Sequence, residues 1–172
     1  MLTHVTHPFA PVVSPQSDTL ILGSLPSVRS RAEGFYYGHP RNRFWQVLAA
    51  VYGDALPADI PGKRALILRH RLALWDVIAS CDIAGSSDAS IRNAVPVDIA
   101  QVTDTAPIAR VFCNGALAGR LYARYLQPRL LLPATILPST SPANAAWSAE
   151  RLAAAWQDAL IGGEHEGRAS YF

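Results

Sequence analysis

Short apolar runs alternate along the chain with polar segments rich in Gly, Pro and Ser, and most pairs are followed or preceded by a helical pattern. Residues 19–22 (Thr-Leu-Ile-Leu) form a β-prone run that stops at Gly23-Ser24-Leu25-Pro26-Ser27. Phe44, Val47, Leu48 and Val51 then fall on one face of a helix over residues 43–52. A second helix near residues 63–70 precedes the apolar run 72–78 (Leu-Ala-Leu-Trp-Asp-Val-Ile). A third run, 110–113, ends at Asn114-Gly115 and leads into a helix that reaches about Tyr125. The fourth, 135–137, ends at Pro138-Ser139-Thr140-Ser141-Pro142, before a last helix carrying Trp147, Leu152, Trp156 and Leu160. Such alternation predicts an α/β fold with a parallel sheet covered by helices on both faces. In these sheets ligands bind outside the carboxyl ends of the strands, so segments far apart in sequence converge on one rim.

Composition fits this reading. The 172 residues are 50% apolar and 16% charged, enough for the core of a single domain spanning the chain. Residues 19–160 carry the pattern, and 162–172 read as a loose tail. No run approaches the length of a membrane span, and the first 13 residues lack the organisation of a signal peptide. Cys81 and Cys113 have no CxxC spacing, His70 and His165 have no ligand-spaced partner, and His4 and His7 lie in an N-terminus expected to be mobile. A soluble cytoplasmic protein without a metal or other cofactor is the expectation. The net charge of +2 is modest, but Lys63 is the only lysine, so arginine supplies the remaining positive charge.

Several polar groups at the predicted rim carry candidate chemistry. Gly23 and Ser24 allow close approach of backbone to a ligand, although the segment is neither a P-loop nor GxGxxG and an ordinary βα turn explains it equally. Tyr36-Tyr37-Gly38-His39-Pro40-Arg41-Asn42-Arg43-Phe44-Trp45 is denser in information. Aromatic rings interleaved with arginines suit an extruded base and its flanking phosphates, and Arg29 and Arg31 extend the basic stretch. Asn42 also suits a helix cap. Asp76 offers a carboxylate as base or loop anchor, and His39 is a further accessory group. The Asn114 carboxamide presents a donor and an acceptor that match the N–H/C=O edge of a base, while Asn-Gly is also a common turn. Ser141-Pro142 reads locally as a cap followed by Pro at the first helical position.

The joint order is more specific than its parts. Gly-Ser-Leu-Pro-Ser, the Tyr36–Trp45 motif, Leu-Trp-Asp-Val, Asn-Gly and Leu-Pro-Ser-Thr-Ser-Pro-Ala-Asn together resemble the hypoxanthine-DNA glycosylase branch of the uracil-DNA glycosylase superfamily, over about residues 19–160. The resemblance implies a three-layer α/β/α sandwich around a four-stranded parallel sheet. It implies cofactor-free hydrolysis of the N-glycosidic bond of a deaminated base in double-stranded DNA, with hypoxanthine ahead of uracil. By the same resemblance Asn42 directs the water and Asn114 reads the base, with Gly23, Ser24, Tyr36 and Tyr37 around it. Arg29, Arg31, Arg41, Arg43, Ser139, Thr140, Ser141 and Asn144 face DNA. Leu25 stands where many members of the superfamily carry Asp or Asn, Leu137-Pro138-Ser139 lacks their histidine, and Pro142-Ala143-Asn144 replaces their apolar wedge. A monomer is expected, because the substrate itself must surround the crevice. Competing readings are a uracil- or mismatch-specific glycosylase, a non-catalytic nucleic-acid-binding relative, and an α/β enzyme acting on small molecules.

Overall fold

A computed structural model describes residues 1–85 and 87–162. The expected parallel sheet is formed by β2 (Thr19–Gly23), β3 (Leu72–Asp76), β6 (Arg110–Asn114) and β7 (Ala134–Leu137) in the order β3-β2-β6-β7. β2 and β3 are buried throughout, which is why their sequences read as continuous apolar runs rather than alternating ones. Leu22 pairs with both Trp75 and Cys113, Gly23 pairs with Asp76, and Asn114 with Leu137. This register brings all four strands to an end on the same rim.

Right-handed crossovers dictate where the helices lie. The β2-to-β3 connection holds α1 (Val28–Glu33), α2 (Phe44–Tyr52) and α3 (Ile60–Arg69). It runs opposite in direction to the β6-to-β7 connection, which holds α5 (Ala116–Tyr125) and α6 (Gln127–Leu130), so the two sets cover opposite faces. Trp156 of α7 (Ala149–Gln157) meets Phe44 of α2 edge-on, at 5.8 Å between ring centroids. The Trp156 ring is fully buried, and its Nε1 donates to the Pro138 carbonyl at 2.9 Å, tying the last helix to the loop after β7.

A second sheet departs from the sequence expectation. The 72–78 run is not one strand: the parallel strand stops at Asp76, and β4 (Ile78–Ile83) turns into an antiparallel sheet with β1 (Thr3–Thr6) and β5 (Arg92–Pro96). Val77 N–H donates to the Gly23 carbonyl and Ile78 N–H to that of Ser24, so the switch between sheets occurs against the loop after β2. A short helix, α4 (Ala100–Thr103), follows β5.

The N-terminal segment is correspondingly ordered rather than mobile. β1 pairs with β4, Val12 forms a bridge with Leu74 at the edge of β3, and Val5 and Val12 are buried. Its β-branched residues Thr3, Val5 and Thr6 were the available signal. Trp147 lies before α7, and Leu160 belongs to a π-helical turn, Asp158–Gly162. Of the expected tail only Gly162 is described; His165 and the remaining tail positions lie outside the described residues.

Replacing Trp156 by Ala removes a fully buried ring and the donor to Pro138. A loss of about 3–5 kcal/mol is expected, read as a lower urea midpoint with an unchanged slope.

Candidate active site

The ends of β2, β3, β6 and β7 enclose a cavity of about 460 Å³, a volume within the range of small-ligand sites. Gly23, Ser24, Tyr37, Asn42, Asp76 and Asn114 all contribute to its wall, as do Ser139, Thr140, Ser141 and Arg31. The rim inferred from the sequence therefore becomes one chamber.

A hydrogen-bonded chain of fixed polarity runs along this wall. Phe44 N–H donates to Asn42 Oδ1 at 3.0 Å, an Asx-type turn across Arg43, the N-cap residue of α2. Thr140 Oγ1 donates to the same Oδ1 at 2.9 Å. That hydroxyl accepts from Asn114 Nδ2 at 3.0 Å, while Thr140 N–H donates to Asn114 Oδ1 at 3.1 Å. Two backbone N–H groups, of Phe44 and Thr140, thus fix which way both carboxamides point. Asn42 Nδ2 has no protein partner among the described residues and opens on the cavity.

The second polar cluster was not foreseen. His7 Nε2 lies 2.8 Å from Asp76 Oδ2, with side-chain exposures of 4% and 5%. Phe9 N–H donates to His7 Nδ1 at 3.1 Å, which makes Nδ1 the acceptor nitrogen and leaves Nε2 to donate to Asp76. Gly23 lies beneath this carboxylate, and a Cβ there would collide with Asp76 Oδ1 and Tyr37 Oη. Tyr37 adopts a left-handed φ of 54° and stacks on Phe44 at 4.1 Å. Its hydroxyl is the one buried side-chain polar atom without a hydrogen-bond partner among the described residues. Burial, then the charge of Asp76, raise the Tyr37 phenol far above its ordinary value, while the Asn114 side chain acts in the opposite sense. Burial and Asp76 do the same to Tyr36.

Some expected site residues have structural work instead. Tyr36 is 1% exposed and donates its hydroxyl to the Ala10 carbonyl at 2.8 Å, so it packs in the core at the edge of the chamber wall. Arg43 donates to the carbonyls of Trp147, Ser141 and Asn144; it is a strut of the loop after β7 rather than a free phosphate donor. Thr140 is completely buried, and both capacities of its hydroxyl are used within the protein, so its side chain does not face DNA.

Others remain at the surface or mouth. Arg41 is exposed, Arg31 lines the cavity, and Arg29 pairs with Glu33 at 2.6 Å on the exposed face of α1. Ser139 Oγ accepts from Ser141 N–H and Ser141 Oγ from Ala143 N–H, leaving both hydroxyl hydrogens to donate elsewhere. Asn144 donates to the Ser139 carbonyl at 3.0 Å. His39 accepts the Arg41 N–H at Nδ1. His4 and His70 each sit against a carboxylate, Asp82 and Asp54. Among the described residues no three His, Cys, Asp or Glu side chains converge as metal ligands, and no helix is long and apolar enough to cross a membrane.

Both the doubly covered parallel sheet and a chamber built at its carboxyl rim define a class of α/β proteins that bind ligands in loops after the strands. The chain belongs to the uracil DNA glycosylase superfamily, whose family model matches residues 10–160. It is 34% identical over 145 residues to a hypoxanthine DNA glycosylase of Methanosarcina acetivorans, covering 83% of this chain and 90% of that protein. A hypoxanthine DNA glycosylase of Methanosarcina barkeri is 33% identical over 113 residues, covering 64% of this chain and 72% of the relative. A solution NMR structure of a candidate uracil DNA glycosylase from Methanosarcina acetivorans superposes with a TM-score of 0.72 at 29% identity. That alignment covers 91% of this chain and 98% of the other.

Two outcomes are expected. Thr140→Val keeps the shape of the side chain but leaves Asn114 Nδ2 without its acceptor and Asn42 Oδ1 without one donor. A loss of about 1–3 kcal/mol should appear in urea unfolding. Tyr36 and Tyr37 have folded-state pKa values raised above the unfolded value of about 10. Their contribution to stability is therefore complete below pH ~10 and is lost as pH rises through the range between the unfolded and folded values. The urea midpoint should fall above that pH, and less steeply in Tyr37→Phe.

Proposed function

We propose that the protein is a monofunctional DNA glycosylase that hydrolyses the N-glycosidic bond of a deaminated base, with hypoxanthine as the principal substrate, in double-stranded DNA. The observation that carries the reading is Asn42, with its carbonyl held by Phe44 N–H and Thr140 Oγ1 and its Nδ2 open to a chamber of about 460 Å³. The names of the two Methanosarcina relatives support the choice of hypoxanthine.

The chemistry follows from a neutral site. A base leaving as an anion builds positive charge on the sugar and negative charge on the base. Preoriented N–H donors and fixed dipoles stabilise that separation without reorganising. A carboxamide does not deprotonate water; Asn42 Nδ2 instead holds the water oxygen against the sugar, and after the C–N bond has largely broken the proton passes through solvent to the departed base anion. The base has to leave the stack to enter the chamber. Ser24 and the ring of Tyr37 line its path, with Arg29, Arg31, Arg41, Ser139, Ser141 and Asn144 toward the DNA backbone.

No amine takes part in this scheme. Lys63, the single lysine, lies over the Trp45 ring at 5.4 Å and is not part of the cavity wall. The protein is proposed to act as a single-domain monomer in the cytoplasm, where the buried free thiols Cys81 and Cys113 stay reduced.

The test is release of base from duplexes containing inosine, uracil, xanthine or only normal bases, scored by alkaline cleavage. Inosine should be processed fastest, and uracil ranked first would favour the reading suggested by the NMR neighbour's description. Borohydride should trap no covalent adduct. Asn42→Ala should slow single-turnover release of hypoxanthine about 10²-fold or more with little change in affinity for the inosine duplex. It also removes the acceptor of Phe44 N–H and of the buried Thr140 hydroxyl, costing about 1–3 kcal/mol of stability. Loss of that stability with undiminished excision overturns the role given to Asn42.

A further inference from the structure

The carboxamide that the sequence assigns to base reading is turned onto Thr140, through both its oxygen and its nitrogen. The free acceptor on the cavity wall lies elsewhere. Asp76 Oδ2 is held by His7, whereas Asp76 Oδ1 has no partner among the described residues and is not sealed from the chamber. Tyr37 Oη, the single unpartnered buried hydroxyl among those residues, lies over the same Gly23, covered just beneath the cavity surface until a base is seated against it. An acceptor and a donor therefore lie over one glycine, where an added Cβ would collide with both oxygens.

We propose that Asp76 and Tyr37 read the edge that deamination creates, Asp76 Oδ1 accepting the ring N–H and Tyr37 Oη donating to the adjacent carbonyl, with His7 as the positioning residue that aims the carboxylate. This deepens the glycosylase reading and rests on it. Hypoxanthine presents N1–H beside C6=O, and uracil presents N3–H beside C4=O. Adenine and cytosine present the reverse, a ring lone pair beside an amino group. A carboxylate facing that lone pair repels it, and the Tyr37 hydroxyl meets a donor, so normal adenine and cytosine are refused by the same two atoms. Such a polar edge discriminates strongly because the wrong partner leaves buried groups unpaired.

His7 makes the arrangement directional. Its Nδ1 is occupied by Phe9 N–H, so Nε2 can only donate, and whatever occupies position 76 must turn an oxygen toward it. In Asp76→Asn that oxygen is the amide carbonyl, and the amide nitrogen is then forced to face the chamber. The substitution replaces an acceptor by a donor without changing shape.

The experiment compares single-turnover excision from duplexes containing inosine or the deoxynucleoside of unsubstituted purine, which has a lone pair at N1 and no carbonyl at C6. Where purine is not released, its duplex is scored by competition against the inosine duplex. The wild type should prefer inosine. Asp76→Asn should lower the inosine-to-purine preference about 10²-fold, through a slower inosine reaction and an unchanged or better one for purine. Tyr37→Phe should lose the inosine preference while keeping full thermal stability, since it removes only an unpartnered hydroxyl. His7→Gln keeps an N–H donor and should retain more of the preference than His7→Leu. Equal slowing of both bases by Asp76→Asn and Tyr37→Phe overturns the assignment and moves these groups to the sugar or to the fold. Failure of the wild type to release hypoxanthine would instead sink the glycosylase reading, so the two failures are distinct.

Discussion

Everything at the rim depends on the closure of Thr140 onto Asn114. The loop after β7 reaches across to the end of β6, and a backbone N–H and a hydroxyl engage both ends of one carboxamide. The same hydroxyl then passes its hydrogen to Asn42, so one residue links three strands' worth of loops. Because the two terminal donors are peptide N–H groups, no side-chain rotation can reverse the chain. Such a chain is polarised before substrate arrives, and a preset dipole is worth most in a water-poor cavity.

Among the described residues, one charged side chain is buried at the chamber wall. Asp76 is nearly buried, yet it is neither orphaned nor joined to an arginine: its principal partner is a histidine whose other nitrogen is occupied by a backbone donor. A guanidinium in that place would neutralise the carboxylate and occupy both oxygens. The histidine leaves one oxygen available. Arg43 is a strut for the loop of residues 141–147, and Arg31 stands on the half-exposed part of the wall. Asp76 is thus the buried charge of the wall, with Arg31 and Asp88 on its more exposed part.

Much of the fold was legible because β2 and β3, buried on both faces, carry unmistakable apolar runs. Asn42, Asn114 and the loop after β7 were legible as a set because their residue types fall at strand ends in a fixed order. What escaped depended on long-range pairing. His7 sits 69 residues from Asp76, and nothing local in a short N-terminal strand announces such a partner. Tyr36 and Tyr37 are adjacent and chemically alike, yet Tyr37 has a left-handed φ and an unpartnered hydroxyl, whereas the Tyr36 hydroxyl is spent on the Ala10 carbonyl. Arg43 looked like its neighbours in a basic stretch, and only the fold reveals that its guanidinium is enclosed by carbonyls. Asp76 likewise ends one strand where the sequence suggests continuity, since Val77 and Ile78 pair with the loop after β2.

The span of the Asn42–Thr140 contact, 98 residues, bears on the order in which the protein matures. Contacts of such separation form late, after nearer ones have met the entropy of closing the chain. A nascent or partly opened molecule can hold the β2–β3 half of the sheet while Asn42 still lacks the hydroxyl that orients it. The orientation of a carboxamide near the start of the chain is thereby set by the last strand of the sheet, so the wall of the chamber is completed only when that strand has docked.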